Sequence, residues 1–217
     1  MRNAASLAPA TEPVAPGELI ALHAGGLASS TAIAPDGGPV YELNGVRVTI
    51  NGIASALLSM TPDWITVQAP GSLGGDSAQV VVSNGGVVSN SVTVTLSASS
   101  PGIFSQDGSG TGIAAAWHAD GNGVSSGSPA EPGETVTVFV AGVGTSLASA
   151  NARAYVGGDG AAILSIDTLA GMVGVYRVQI ALPATTPPGT IVPLGLGITT
   201  AFTCSVDIPI GRKTGEP

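Results

Sequence analysis

The chain has 217 residues, room for one large domain or two of about 100 each, and either size buries a real core. Hydrophobic residues make up 44% but aromatics only 4%, so the apolar content is aliphatic; 32 Gly and 16 Pro exclude a build from long helices. Charged residues are 9%, with six Lys and Arg scattered against fourteen Asp and Glu for a net charge of −8, so nucleic acid and anionic membrane surfaces are excluded as partners.

Strand signals then recur in chain order. They fall at 19–23, 46–51, 56–60, 65–69, 78–83 and 91–96, and again at 113–117, 135–141, 152–156, 162–166, 175–182, 191–198 and 203–210. Several alternate, as in "SVTVTL", where Val92, Val94 and Leu96 face one way and Thr93 and Thr95 the other. Asn51-Gly52, Asn84-Gly85-Gly86 and Gly157-Gly158 separate them, and these residues tolerate the positive φ of hairpin turns. No segment holds a helical period over three turns. The expected fold class is all-β, built as two tandem β-sandwich domains.

The tandem is written in the sequence as a repeat. "APGELIALHAGGL" from Ala15 and "EPGETVTVFVAGVG" from Glu131 share Pro-Gly-Glu, an apolar β-prone run and a glycine ending, 116 residues apart. "VRVTINGIASALLSM" (Val46–Met60) aligns with "ARAYVGGDGAAILSI" (Ala152–Ile166), pairing Gly52 with Gly158, Leu58 with Leu164 and Ser59 with Ser165. "ITVQAP" then resembles "YRVQIALP". Kept order with shifting spacing is what two copies of one fold produce when loops absorb insertions. The expected domains are 1–98, with residues 1–14 an extended N-terminal segment, and 99–217, with an inserted hairpin at 101–130 that has no partner in the first half. "SASSP" reads as a short linker between them.

Several blocks carry a family resemblance: "NAAS" and "APGE" near the start, "VTINGIASALL", "VQAP", "PGIFSQDGSGTGIAAA", "PGETVTVFVAGVG" and "GVYRVQIALP" followed by "PPGTIVPL". Together, from Asn3 to about Ile210, they resemble the uncharacterised Ig-like C-terminal domain of many secreted acidobacterial proteins, and each half is similar to an IPT/TIG-type module. The resemblance implies a pair of immunoglobulin-like sandwiches on an exported polypeptide, with no catalytic residues. Such proteins carry a long region before this motif and this chain starts almost at it, which reads as a fragment or a small stand-alone member.

Motifs of chemistry are sparse. Gly123-Val124-Ser125-Ser126-Gly127 matches a nucleophile-elbow pattern, but "SPAEPGE" follows where a helix is required. His23 and His118 are too few for a metal site and lack ligand spacing; His23 is expected to pack or cap a strand end, and His118 to sit in a polar turn. "DGSGTG" starts like a calcium loop, yet the twelfth position is His118, which excludes an EF-hand. Cys204 lies in a strand-like run and reads as a small buried hydrophobe without a disulfide partner. No cofactor is expected, and no apolar run reaches the roughly 18 residues of a membrane helix.

The start, "MRNAASLAPATEPV", lacks a signal peptide's apolar stretch, so an exported protein would have its leader outside this sequence. The leading expectation is a non-enzymatic structural or adhesive module, extracellular or at the cell surface. Its partners would be proteins or copies of itself, and its sharper form is a filament or surface-layer subunit assembled by strand exchange at its termini. The alternative is a carbohydrate-binding accessory module. Candidate ligand or interface residues are Trp64, Trp117 and His23; the last stands where the repeat has Phe139 and is the one polar break in that strand.

Overall fold

The computed structural model describes residues 1–7, 13–23, 25–26, 30–35, 39–145, 152–169 and 171–211, and only the backbone of residues 204 and 205. The expected fate of the Cys204 side chain therefore lies outside the described residues. Among those described, the chain is all-β, as the alternation and turn residues require.

The first half holds β1 (Arg2–Asn3), β2 (Leu19–His23), β3 (Ala32–Ile33), β4 (Val46–Ile50), β5 (Ile53–Ala54), β6 (Ala56–Met60), β7 (Trp64–Gln68), β8 (Ser77–Asn84), β9 (Val87–Val88) and β10 (Val92–Thr95). One layer runs β1-β2-β7-β6-β3 and the facing layer β10-β8-β4-β5, with β9 also on β8. The second half holds β11 (Gly102–Ile103), β12 (Gly112–Ile113), β13 (Ala116–Trp117), β14 (Thr135–Ala141), β15 (Ala152–Val156), β16 (Asp159–Leu169), β17 (Met172–Ala181), β18 (Thr190–Ile198) and β19 (Ala201–Ile210). Its sheet is continuous, β11-β14-β17-β16-β15-β18-β19-β12, with β13 also on β14. The continuity comes from β16, whose first residues pair with β15 and whose remainder pairs with β17, so one long strand turns the corner between layers.

Strand order makes the repeat explicit. The path β2-β7-β6, then β5-β4-β8-β10, matches β14-β17-β16-β15-β18-β19 element for element, with β5 and β6 together standing for β16. Asn51 and Gly52 close the β4–β5 hairpin at φ 50° and 75°; Gly157 and Gly158 close β15–β16 at 63° and 96°. Both pairs supply the two left-handed residues of a tight hairpin. The ladder also slips by one residue at the same place in each copy, between Leu57 and Ser59 and between Ile163 and Ser165. The skipped residues are Leu58 and Leu164, which the sequence alignment pairs. A bulge repeated at aligned positions marks a built feature of the sandwich corner.

Each half buries its own aliphatic core. The first is built around Ile20, Ile50, Leu57, Met60 and Ile65, and the second around Ile103, Val138, Ile180, Leu194 and Ile208. A third, smaller cluster joins them: Leu19 and Leu58 from the first half meet Ala141, Val175, Phe104, Phe139 and Leu169 from the second, with Ala4 and Ala5 between. The stretch expected as a linker is part of this joint. Ser99 and Ser100 are buried; Ser99 Oγ donates to the Ile198 carbonyl at 2.8 Å, and the Ser100 N–H donates to the Gly142 carbonyl at 2.8 Å. Gly142 has φ 74°, and a methyl group there would overlap the Ser100 carbonyl. Only glycine permits that approach.

Residues 1–14 enter the fold at both ends. Arg2 and Asn3 pair with Ala21 and Ile20, and Val14 bridges Leu96. The inserted segment does the same in the second half, where Trp117 pairs with Thr137 and Ala130 bridges Ile210. Trp117 and Ala130 thus take the pairing positions that Arg2 and Val14 take in the first half, a likeness carried by backbone pairing and invisible in side-chain identity.

Candidate functional site

The repeated Pro-Gly-Glu forms the best-defined polar site in each half. Gly17 and Gly133 take φ 76° and 83°, and the N–H of Glu18 and Glu134 reach back to the carbonyls of Ala15 and Glu131. This is a turn with proline second and a left-handed glycine third. The glutamate then folds its side chain over the turn. Ala15 N–H donates to Glu18 Oε2 at 2.6 Å, and Glu131 N–H donates to Glu134 Oε2 at 2.8 Å.

The second carboxylate oxygen is held from outside the turn. Asn3 Nδ2 donates to Glu18 Oε1 at 2.8 Å and to the Ser100 carbonyl at 2.9 Å, while its Oδ1 accepts from Ala5 and Ser6. In the second half, His118 Nδ1 lies 2.6 Å from Glu134 Oε1. His118 opens the expected turn, accepting the Gly121 N–H on its carbonyl at 3.0 Å, but its side chain is buried, with the residue 3% exposed. Asn3 and His118 occupy equivalent places, each next to the residue that pairs with the aligned strand, an equivalence that only the backbone pairing shows. Glu18, itself 1% exposed, and Glu134 were missed as site residues because a turn motif draws attention to its proline and glycine.

Ser128 adds a hydroxyl to the second latch. Its Oγ and its carbonyl oxygen both lie 3.2 Å from His118 Nε2. The order serine, imidazole, carboxylate is the connectivity of a nucleophile, base and orienting acid. Here Nε2 faces two oxygens of one residue, and the imidazole side chain is only 1% exposed. Asn3 holds Glu18 in the same way without any titratable nitrogen, so what the two latches share is the fixing of the turn's carboxylate. Ser125, the other serine considered, accepts the Ser128 N–H on Oγ at 3.1 Å, in a loop.

The three candidate contact residues fall in two places. His23 and Trp64 are cross-strand partners and meet edge to face, ring centres 5.1 Å apart. The Arg2 guanidinium sits 5.6 Å from the Trp64 ring centre, within cation–π range. Beside them a cleft of about 130 Å³ is lined by Met1, Leu22, His23, Val80, Ser89 and Val92, among others. Trp117 lies elsewhere, edge to face on Phe139 at 4.8 Å. It borders an open cleft of about 310 Å³ with Gln106 and Ser125, at the lower end of the size of small-ligand sites.

Two of the acidic glycine turns carry local hydrogen bonds. Asp107 Oδ1 accepts from both N–H and Oγ of Ser109, which, with further bonds, holds its carboxyl down to about 2. Asp120 accepts from the Asn122 backbone and side chain. Among the described residues no three His, Cys, Asp or Glu side chains gather as a metal site would need, and no helix is long and apolar enough to cross a membrane.

No family model matches the chain, and no curated protein matches it. Among solved structures, domains 5–6 of the S-layer protein SbsC are similar to it over 95% of each chain, at 13% identity and a TM-score of 0.30, a likeness too slight to carry an argument.

Proposed function

We propose that the chain is a non-enzymatic structural module of an extracellular filament or surface layer, joined to protein neighbours by strand exchange. The observation that carries this reading is the joint between the two halves, which is built to be stiff. Ser99, Ser100 and Asn3 are buried between the halves, and Gly142 admits the close backbone contact, so the tandem behaves as one rigid spacer. Among the described residues both terminal strands pair inside the chain, β1 with β2 and β19 with β18. The tandem Ig-like resemblance to secreted proteins points the same way. Immunogold labelling of intact cells tests it: label on extracellular fibres or the cell surface is expected, and label confined to the cytoplasm would overturn it. A hydrolase screen in which Ser128→Ala or Ser125→Ala abolished an activity would overturn the non-enzymatic part.

A carbohydrate-binding accessory module is the second reading, favoured by one surface. Tyr155 and Phe202 lie on an exposed sheet face with ring centres 5.6 Å apart, and Phe202 lies over Gly195 and Gly197 of the neighbouring strand. Glycan-array binding lost in Phe202→Ala or Trp117→Ala would support it, and an array without signal would remove it.

A further inference from the structure

The cleft of about 310 Å³ in the second half is bordered by Gln106, Trp117, Gly123 and Ser125. Trp117 pairs with Thr137 on one side and bridges Gly123 on the other. Directly opposite residues of an antiparallel pair put their side chains on one face, so a side chain at 123 would stand beside the indole. Glycine leaves that place empty: apart from its chain neighbours, a methyl group there would meet no atom within 4 Å. The backbone itself makes no demand for glycine, since Gly123 lies outside the left-handed region that Gly121 occupies at φ 85°. On its other flank the indole is fixed by Phe139, edge to face, with ring centres 4.8 Å apart. The ring is thus held from one side and open toward Gly123.

Two polar side chains at the cleft are each held by one bond and keep a second function unengaged among the described residues. Gln106 Nε2 donates to the Val124 carbonyl at 2.5 Å, which leaves the amide oxygen as an acceptor. Ser125 Oγ accepts the Ser128 N–H at 3.1 Å, which leaves its O–H as a donor. No charged side chain among the described residues lines the cleft, so an ionic ligand would find no counter-charge there. A sugar ring fits this set of groups. Its polarised C–H bonds are attracted to the negative face of an indole, and its hydroxyls pair with a neutral donor and acceptor.

We infer that this cleft binds one neutral sugar residue of a polysaccharide, stacked on Trp117 in the space beside Gly123 and held by Gln106 and Ser125. The open side of the cleft lets the rest of the sugar chain run on into solvent. This rests on the carbohydrate-binding reading and gives it a site other than Tyr155 and Phe202.

The test screens the intact chain on an array of neutral hexose oligosaccharides and uronic-acid oligosaccharides, then titrates a neutral binder into isotope-labelled protein. Saturable binding is expected, with shifts of the Trp117 indole N–H and the Gln106 side-chain amide while the Trp64 indole stays in place. Gly123→Val puts a side chain into the empty place and is expected to weaken binding by about tenfold or more with the melting temperature unchanged. Ser125→Ala, which adds no volume, is expected to weaken it by a smaller factor. Binding that survives both variants, or shifts centred on Tyr155 and Phe202, would overturn the cleft and leave the carbohydrate-binding reading standing. An array without signal would remove both. Tighter binding of the uronic-acid oligosaccharides would overturn the neutral ligand.

Discussion

The two halves share strand order, hairpin turn, bulge and glutamate latch, yet the seam between β14 and β19 that Ile103 plugs in the second half has no such plug among the described residues of the first. Ile103 is fully buried where Val92 and His23 border a cleft. The latches differ too: an asparagine amide fixes Glu18, while an imidazole backed by Ser128 fixes Glu134. A fold copied twice thus preserves what the strands need from one another, and diverges where the chain meets its own distant segments.

The sharpest way to break the comparison is to unplug the closed seam. Ile103→Ala is expected to cost about 2–5 kcal/mol in urea unfolding, while Val92→Ala at its counterpart in the first half stays within about 0.5 kcal/mol. Equal losses would mean that the seams are not counterparts. Removing the latch comes next. Glu18→Ala leaves one N–H of the Asn3 amide and the Ala15 N–H without their carboxylate acceptor, at about 1–3 kcal/mol for each buried donor left unpaired. Glu134→Ala is expected to cost less because its side chain is 18% exposed, and thermal melts of the two variants rank them directly.

Grafting one latch onto the other is gentler. His118→Asn gives the second half the residue type of the first, and a loss of about 1 kcal/mol is expected, the worth of a single hydrogen bond. A loss several times larger would show that the imidazole has work beyond holding Glu134. The smallest effect belongs to Asp107, whose carboxyl is held at about 2 against an ordinary 3.8. A depressed carboxylate stabilises the fold above its unfolded value, and that support fades as pH falls from about 4 toward 2. The melting difference between the native chain and Asp107→Asn should therefore shrink across that window; a constant difference would assign the effect to packing.

Much of this architecture was legible in one dimension. The strand spacing, the aligned Asn51-Gly52 and Gly157-Gly158 turns and the pairing of Leu58 with Leu164 all rest on contacts between neighbours in sequence. The strand at 162–166 was read too short, because β16 begins at Asp159 and its turn from one layer to the other leaves no mark in the alternation. The partner of His118 was not legible because it lies sixteen residues away, and nothing local to Asn3 points to Glu18, fifteen residues on.

Alternating side chains and left-handed turn residues determined, without any fold in view, that this chain is all-β. They act locally: a period of two marks which face of a strand is buried, and an Asn-Gly or Gly-Gly pair marks where it reverses. Tertiary structure alone decided which edges are covered, that Ser99 and Ser100 are buried in the joint between the halves, and that Glu18 and Glu134 are held from outside their own turns. Edge pairing uses backbone N–H and C=O groups that every residue carries, so no side-chain pattern announces it.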